Sequence, residues 1–196
     1  MLKYDIENEI ISSGYATVCG TDEAGRGPLA GDVFAAAVIL PPGLVIDGLD
    51  DSKKLSPKKR DALFDTIRSA AVSYGIAYAT NTEIDELNIL NASLLAMRRA
   101  IGMLSPAPDF ILIDGSVNRG FDIPARAVIH GDSISPSIAA ASVLAKVSRD
   151  RKCLEYDRLY PEYGFAKHKG YPTKEHYEAI KKYGVLPIHR KTFRLQ

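Results

Sequence analysis

Apolar residues form short runs along the first two thirds of the chain, and these runs predict β-strands. They are rich in Val, Ile and Phe, and β-branched and aromatic side chains suit the pleated surface of a sheet. Glycine and proline end several runs, because a central strand tolerates neither residue well. The predicted strands cover residues 15–21, 33–40, 72–79, 110–113 and 127–129.

Apolar positions three and four residues apart predict helices between and after these strands. Ser56 and Pro57 mark one helix start, because serine accepts a hydrogen bond from the first turn and proline fits the first helical position. Further helices are predicted at 82–104, with a break near 88–91, at 136–156 and at 173–183, and a loop is predicted at 161–173. Strands that come first and later alternate with helices predict a mixed sheet packed by helices.

The composition indicates one α/β domain over residues 1–196, since 46% hydrophobic residues in 196 supply a single sizeable core. Charged residues near the N-terminus argue against a signal peptide, and the longest apolar run, at 33–40, is too short for a membrane span. Cys19 and Cys153 lack the spacing of a zinc site and fit a reducing compartment. We therefore expect a soluble cytoplasmic protein with no membrane partner.

Positive charge is concentrated in the last quarter of the chain. Residues 146–196 contain 13 Lys and Arg against 6 Asp and Glu, although the net charge of the whole chain is +1. This asymmetry predicts either a basic surface suited to nucleic acid or a set of solvated helix faces. Whether the basic residues at 189–194 contact DNA or complete the fold stays open.

Four acidic residues follow predicted strands: Asp22, Glu23, Asp114 and Asp132. Neighbouring strands deliver such side chains to one edge of a sheet, and oxygen-only ligands select hard cations such as Mg²⁺ or Mn²⁺. Crowded carboxylates repel unless cations neutralise them, which predicts a cluster of two ions ~4 Å apart. Adjacent residues of a regular strand face opposite sides, so Glu23 needs a bend after the strand to reach the site. For each acid alone, the alternative is a surface loop residue or a helix cap.

The residues around these acids resemble a known family. Six segments are similar, in order, to motifs of ribonuclease HII, the type 2 ribonucleases H: GTDEAGRGPLAG at 20–31, DSKKL at 51–55, IDG at 113–115, GD at 131–132, AAASVLAKV at 139–147 and KGYPT at 169–173. The resemblance implies a ribonuclease H-like fold, with a mixed sheet flanked by helices and a C-terminal helical part. It implies hydrolysis of RNA in RNA–DNA hybrids and incision 5′ to single ribonucleotides in duplex DNA, leaving 3′-hydroxyl and 5′-phosphate ends.

Carried over by position, the resemblance makes the four acids the catalytic ligands of Mn²⁺ or Mg²⁺. It makes Gly25, Arg26 and Gly27, together with Tyr171, the part that recognises the RNA-to-DNA junction. The glycines would let the backbone approach the ribose and its 2′-hydroxyl, or would simply form a turn. Arg26 would hold a phosphate or a surface salt bridge. Tyr171 would stack on the deoxyribose 3′ to the ribonucleotide, or would anchor its loop on the core.

Five further residues are candidates for substrate binding: Ser52, Lys53, Lys54, Ser142 and Lys146. The lysines would position phosphates without reading sequence, and for each one a solvated surface charge is the alternative. Ser142 and Lys146 are four residues apart and so share a helix face. The histidines at 168, 176 and 189 show no ligand-like spacing and are expected on the surface.

The expected partners are RNA–DNA hybrids and ribonucleotide-containing duplex DNA, bound by a monomer without a sliding-clamp motif. A duplex-binding module without catalysis would gain nothing from carboxylates set against phosphates. A small-molecule phosphotransferase would need a phosphate loop, and neither GxxxxGKS nor GxxxxGKT occurs. Incision of duplex DNA that contains one ribonucleotide, with Mn²⁺, Mg²⁺ or EDTA, separates the nuclease from both alternatives.

Overall fold

The computed structural model describes residues 2–196. The strands are β1 Val18–Ala24, β2 Val33–Ile39, β3 Ser73–Ala79, β4 Phe110–Asp114 and β5 Ala125–Val128. The α-helices are α1 Asp5–Ser12, α2 Pro57–Ala70, α3 Asn81–Leu87, α4 Ile89–Ile101, α5 Pro136–Leu159, α6 Phe165–His168 and α7 Lys174–Tyr183. Short 3₁₀ turns occupy Gly131–Ser133 and Pro161–Tyr163.

The five strands form one mixed sheet in the order β3-β2-β1-β4-β5. β2 runs antiparallel to β1 and β3, whereas β4 runs parallel to β1 and β5. The predicted mixed sheet flanked by helices is therefore confirmed. Because β1, β4 and β5 are parallel, their carboxyl ends point to the same edge of the sheet, and Asp114 ends β4 at that edge.

Helices cover both faces of the sheet. All seven residues of β2 are buried, which explains its continuous apolar sequence. Alternate residues face opposite sides, so Ala35 joins the core beneath α4 and Ala36 joins the core beneath α5. The start of α5 crosses β1 closely, because a Cβ on Gly20 would lie 2.3 Å from the backbone nitrogen of Ile138. This contact holds the first turns of α5 beside the centre of β1.

The first strand is placed differently from the sequence prediction. β1 begins at Val18 and continues to Ala24, so Asp22 and Glu23 lie within the strand and not after it. Its pairing with β2 stays regular through Glu23↔Ala35 and Ala24↔Phe34. The strand ends just before Gly25, whose φ of +103° strongly favours glycine.

The helix boundaries follow the predicted signals. Ser56 caps α2 by accepting a hydrogen bond from the backbone N–H of Lys59. The helical stretch predicted at 82–104 is divided at Asn88, which has a φ of +65° and caps α4. α6 lies within the segment predicted as a loop. None of the helices described here is both long and apolar enough to cross a lipid bilayer.

The C-terminal helical part packs against the loop that follows β1. Leu29 and Ala30 from that loop share a buried cluster with Phe165 and with residues of α7. After α7 the chain returns to the same loop, where His189 forms a β-bridge with Ala30. The C-terminal part therefore places Tyr171, which precedes α7, beside the end of β1.

Candidate active site

Three of the four predicted acids converge near the carboxyl ends of the parallel strands. Asp22 lies in β1, Asp114 ends β4, and Asp132 lies in the 3₁₀ turn that follows β5. One carboxylate oxygen from each lies within 4.8 Å of the others. The backbone N–H of Asp132 donates to Asp114 Oδ1 at 3.3 Å, which ties the turn to β4. We call these three residues the acid triad.

The electrostatics of the acid triad favour a bound cation. Burial, followed by the charges of Glu23 and Asp114, raises the pKa of Asp22 well above its usual range, against a hydrogen bond from Ser142 that lowers it. Burial and the charge of Asp132 raise the pKa of Asp114. Both shifts mean that the carboxylates resist ionising together unless positive charge is supplied. Oxygen donors alone suit Mg²⁺ or Mn²⁺, so the residues fit such a metal.

Glu23 lies beside the acid triad and outside it, as far as residues 2–196 show. The expected bend occurs at Gly25, but β1 stays regular through Glu23, so the bend comes too late to turn Glu23 towards the triad. Its carboxylate accepts a hydrogen bond from Arg26 at 3.2 Å. Burial raises the pKa of Glu23, Arg26 opposes that rise, and the charge of Asp114 adds to it. The charge of the triad therefore acts on Glu23. The role of Glu23 as a metal ligand stays a prediction.

The loop after β1 lies against the predicted junction-reading tyrosine. A Cβ on Gly27 would lie 3.4 Å from the ring of Tyr171, so the ring and the backbone are neighbours. Tyr171 is 41% exposed, which leaves part of its ring open to a ligand. A Cβ on Gly25 would lie 2.1 Å from Nε of the buried Arg149. Close approach therefore requires glycine at position 25, whereas a Cβ at position 27 would make an ordinary contact with the Tyr171 ring. The predicted loop and ring are brought together.

Comparison with known proteins shows the family. The family model of ribonuclease HII matches residues 19–196. The chain belongs to the ribonuclease HII family. Ribonuclease HII of Clostridioides difficile is 57% identical over 95% of this chain and 73% of its own length. That of Marinomonas sp. is 58% identical over 90% of this chain and 89% of its own length.

Solved structures show the same relationship. The crystal structure of ribonuclease H2 from Pyrococcus horikoshii matches with a TM-score of 0.78 and 27% identity, over 92% of this chain and 95% of that one. As a member of this family, the chain is an endoribonuclease of the ribonuclease H type that acts on RNA–DNA hybrids. This family uses a divalent metal, and the acid triad offers a group of oxygen donors that could hold one. Membership of this family also argues against the two alternative functions, a duplex-binding module without catalysis and a small-molecule phosphotransferase.

The two predicted substrate-binding serines are buried behind the acid triad. Ser52 and Ser142 share a hydrogen bond of 2.7 Å between their hydroxyl oxygens. Ser142 also hydrogen-bonds to Asp22 and lowers its pKa. In this arrangement the serines orient the Asp22 carboxylate, and a direct contact with substrate stays a prediction.

The lysines at 53 and 54 lie close to the acid triad. Lys53 Nζ is 3.2 Å from Asp132 Oδ2. Burial lowers the pKa of Lys53, but attraction to Asp132 and Asp22 outweighs it and raises the pKa overall. Lys54 Nζ donates to Ser133 Oγ at 3.2 Å, in the same turn as Asp132. Both lysines thus lie beside the turn that contains Asp132.

Lys146 lies one turn after Ser142 on α5, as predicted. Its Nζ donates to Asp150 at 2.8 Å, and Arg60 lies 3.7 Å from the same carboxylate. These residues line an open groove together with Arg151, Lys167 and Lys169. Asp61 also lines the groove, where basic residues outnumber acidic ones. A basic surface suited to nucleic acid stays a prediction.

The sequence does not show that several polar residues near the site are buried. Arg149 and Arg190 are among the largest fully buried side chains, although both were counted toward a basic surface. The expectation of surface histidines is wrong, because His168, His176 and His189 are all buried. They contact one another in the C-terminal part, where His176 and His189 share a 3.1 Å hydrogen bond between their Nε2 atoms. Their burial results from long-range packing, which residue spacing does not encode.

Proposed function

We propose that this chain hydrolyses the RNA strand of RNA–DNA hybrids and also incises duplex DNA 5′ to a single embedded ribonucleotide, leaving 3′-hydroxyl and 5′-phosphate ends. The observation that carries the proposal is the half-exposed Tyr171 ring against Gly27, in the loop that leaves β1 directly after the acids. An aromatic ring beside a glycine backbone can recognise a sugar at the place where the strand is cut.

We assign metal binding to the acid triad and Glu23, with Mn²⁺ or Mg²⁺ as the ion. The oxygen donors and the raised pKa values of Asp22 and Asp114 support the assignment. When bound, such ions activate water as the nucleophile and neutralise the leaving 3′ oxygen. Ser142 keeps Asp22 oriented through its hydrogen bond, and Arg26 holds Glu23 beside the triad.

The same residues distinguish ribose from deoxyribose in our proposal. The backbone at Gly25 and Gly27 can approach the sugar closely, because neither residue carries a Cβ. The 2′-hydroxyl both donates and accepts hydrogen bonds, so backbone amides in this loop suffice to detect it. Tyr171 stacks on the next sugar towards the 3′ side, where a deoxyribose presents a flat apolar face and a ribose adds a hydroxyl.

Basic side chains around the site position the duplex. Lys53 and Lys54 flank the turn that contains Asp132, and Lys146 lines the basic groove. These cations would hold phosphates and carry no sequence preference. We propose that the chain acts as a monomer. Both cysteines are buried and free, which is consistent with a cytoplasmic location.

Three duplexes test the proposal: an RNA–DNA hybrid, a DNA duplex with one ribonucleotide, and an all-DNA duplex. Each is incubated with wild type, with Asp114→Asn and with Asp122→Asn, which changes an exposed aspartate and serves as the matched control. We expect wild type and the control to cut the first two duplexes with Mn²⁺ or Mg²⁺ and none with EDTA. Asp114→Asn should lower cutting about 100-fold or more.

Two results would oppose the assignment. Normal cutting by Asp114→Asn would remove the acid triad from the reaction. Cutting of the hybrid without any cutting of the single-ribonucleotide duplex would limit the activity to hybrids and end the proposal of junction recognition.

A further inference from the structure

A fully buried arginine holds the loop that follows β1. Arg190 is 0% exposed and lies in the C-terminal segment beneath this loop. Its Nη2 donates to the carbonyl of Gly25 at 2.7 Å and its Nη1 donates to the carbonyl of Arg26 at 2.9 Å. Its Nε donates to the carbonyl of Gly31 at 2.9 Å, and Nη2 also reaches the carbonyl of Asp32 at 3.4 Å. One guanidinium therefore joins both ends of the loop.

Burying a guanidinium is unfavourable unless its donors are satisfied. Burial, together with the neighbouring charge of Arg149, lowers the pKa of Arg190 to about 9, so the group stays charged at neutral pH. The loop carbonyls offset the cost of burial. The loop depends on the guanidinium in turn, because without it the buried carbonyls of Gly25, Gly31 and Asp32 would lose this partner.

The direction of the loop carbonyls fixes the direction of the loop amides. In a trans peptide the N–H points opposite to the preceding C=O. Since the carbonyls of Gly25 and Arg26 face Arg190, the N–H groups of Arg26 and Gly27 face away from it. Within residues 2–196 neither of these two amides donates to a protein acceptor. Beside the Tyr171 ring, these two adjacent N–H groups are therefore available to hydrogen-bond a ligand.

Backbone hydrogen bonds also join the segment around Arg190 to the loop. The N–H of Arg190 donates to the carbonyl of Leu29 at 2.8 Å. The N–H of Gly31 donates to the carbonyl of Ile188 at 2.8 Å, and His189 pairs with Ala30. Arg190 is therefore part of a short antiparallel pairing with the loop, which leaves its side chain little freedom.

We propose that Arg190 is a positioning residue for ribonucleotide recognition, which keeps the amides of Arg26 and Gly27 aimed at the 2′-hydroxyl and the adjacent phosphate of the substrate. The inference rests on the proposed function, because it needs the loop to read the junction. Arg190 does not touch the acid triad in this account. Its loss should therefore weaken recognition of a single ribonucleotide more than hydrolysis of a long hybrid, where many cutting positions are available.

The test compares kcat/KM on the single-ribonucleotide duplex with kcat/KM on the hybrid. Arg190→Met removes every donor, and Arg190→Lys keeps the charge but supplies a single nitrogen in place of three. Arg194→Met is the matched control, because Arg194 is an exposed arginine four residues later. A partly unfolded sample lowers both kcat/KM values equally, so their ratio reports the loop and not the fraction folded.

We expect the ratio of single-ribonucleotide to hybrid cleavage to fall about tenfold or more in Arg190→Lys and further in Arg190→Met, since small misplacements cost about 100-fold. Arg194→Met should leave the ratio unchanged. An unchanged ratio in folded Arg190→Lys, with wild type cutting both substrates, would overturn this inference alone. Failure of wild type to cut the single-ribonucleotide duplex would overturn the proposed function and this inference with it.

Discussion

Asp22→Asn removes one negative charge from the centre of the acid triad. Asp22 is buried, and burial together with the charges of Glu23 and Asp114 raises its pKa well above the usual range. The amide keeps the size of the carboxylate but cannot ionise. Without bound metal we therefore expect the variant to be more stable than wild type and yet inactive.

The expected gain in the free energy of unfolding can be worked out from the distance between the acids. Two unit charges 4.8 Å apart repel by about 3.5 kcal/mol at an effective dielectric constant of about 20. Protonation already relieves part of this repulsion in wild type, and the amide weakens the contact with Ser142. We expect a net rise in the free energy of unfolding of about 1–2 kcal/mol. In a domain of this size that raises the melting temperature by about 2–8 °C.

The gain in stability of Asp22→Asn over wild type should increase with pH. Because the pKa of Asp22 is raised in the folded state, the folded protein binds this proton more tightly than the unfolded chain does. The penalty on stability is present above the folded pKa and is relieved as pH falls toward the unfolded value of 3.8. The difference between Asp22→Asn and wild type should therefore be largest near pH 8 and should shrink in acid.

Thermal unfolding in EDTA, followed by circular dichroism from pH 5 to pH 8, measures this difference. Asp122→Asn is the control, because it removes an exposed carboxylate that is not part of the triad. An Asp22→Asn protein that melts below wild type at pH 8 would refute the reasoning. So would a gain of the same size in the control, since net charge alone would then explain it.

Three further predictions concern the rest of the site. Gly25→Ala should destabilise the fold by about 2–4 kcal/mol in urea unfolding, because its Cβ would lie 2.1 Å from Arg149 Nε at a φ of +103°. Tyr171→Ala should lower kcat/KM about tenfold more on a single-ribonucleotide duplex than on a hybrid, whereas Tyr171→Phe keeps the ring and should preserve both. Burial, with smaller effects from neighbouring histidines, lowers the pKa of His176 to about 4, so the melting temperature should fall as pH drops from 6.5 towards 4. His176→Gln should flatten that fall.

Each of these predictions has a contradicting result. Gly14→Ala is the control for Gly25, because Gly14 also has a positive φ but nothing within 4 Å of its Cβ position; an equal loss in both variants would show that the φ angle alone matters. Equal losses on both substrates in Tyr171→Ala would remove its role at the junction. An identical acid profile in His176→Gln would assign the acid sensitivity to other groups.

The acids were predictable from sequence because Asp22, Glu23 and Asp114 lie in the last three residues of their strands, and Asp132 lies in the turn that follows β5. Parallel strands then bring Asp22, Asp114 and Asp132 to one edge of the sheet without further assumptions. The end of β1 was not predictable to the residue. Asp22 and Glu23 are polar and suggest a strand end, but pairing with β2 extends the strand through Ala24.

The burial of Arg149 and Arg190 could not be predicted from the sequence. Arg190 bonds to a carbonyl 165 positions away in the chain, and Arg149 bonds to the carbonyl of Lys169 while packing on Gly25. Local composition counts both arginines as surface charge, although neither contributes to the surface. Burial of this kind depends on which distant backbone carbonyls are left to pair, and only the folded chain determines that.

The central claim is incision at a ribonucleotide by the acid triad, and the position of the cut tests it most directly. The substrate is a DNA duplex with one ribonucleotide in a 5′-labelled strand, incubated with Mg²⁺, Mn²⁺ or EDTA and resolved at single-nucleotide length. We predict one product, which ends in a 3′-hydroxyl at the deoxyribonucleotide just before the ribonucleotide and is absent with EDTA. A cut on the 3′ side of the ribonucleotide, or the same product in EDTA, would contradict the account.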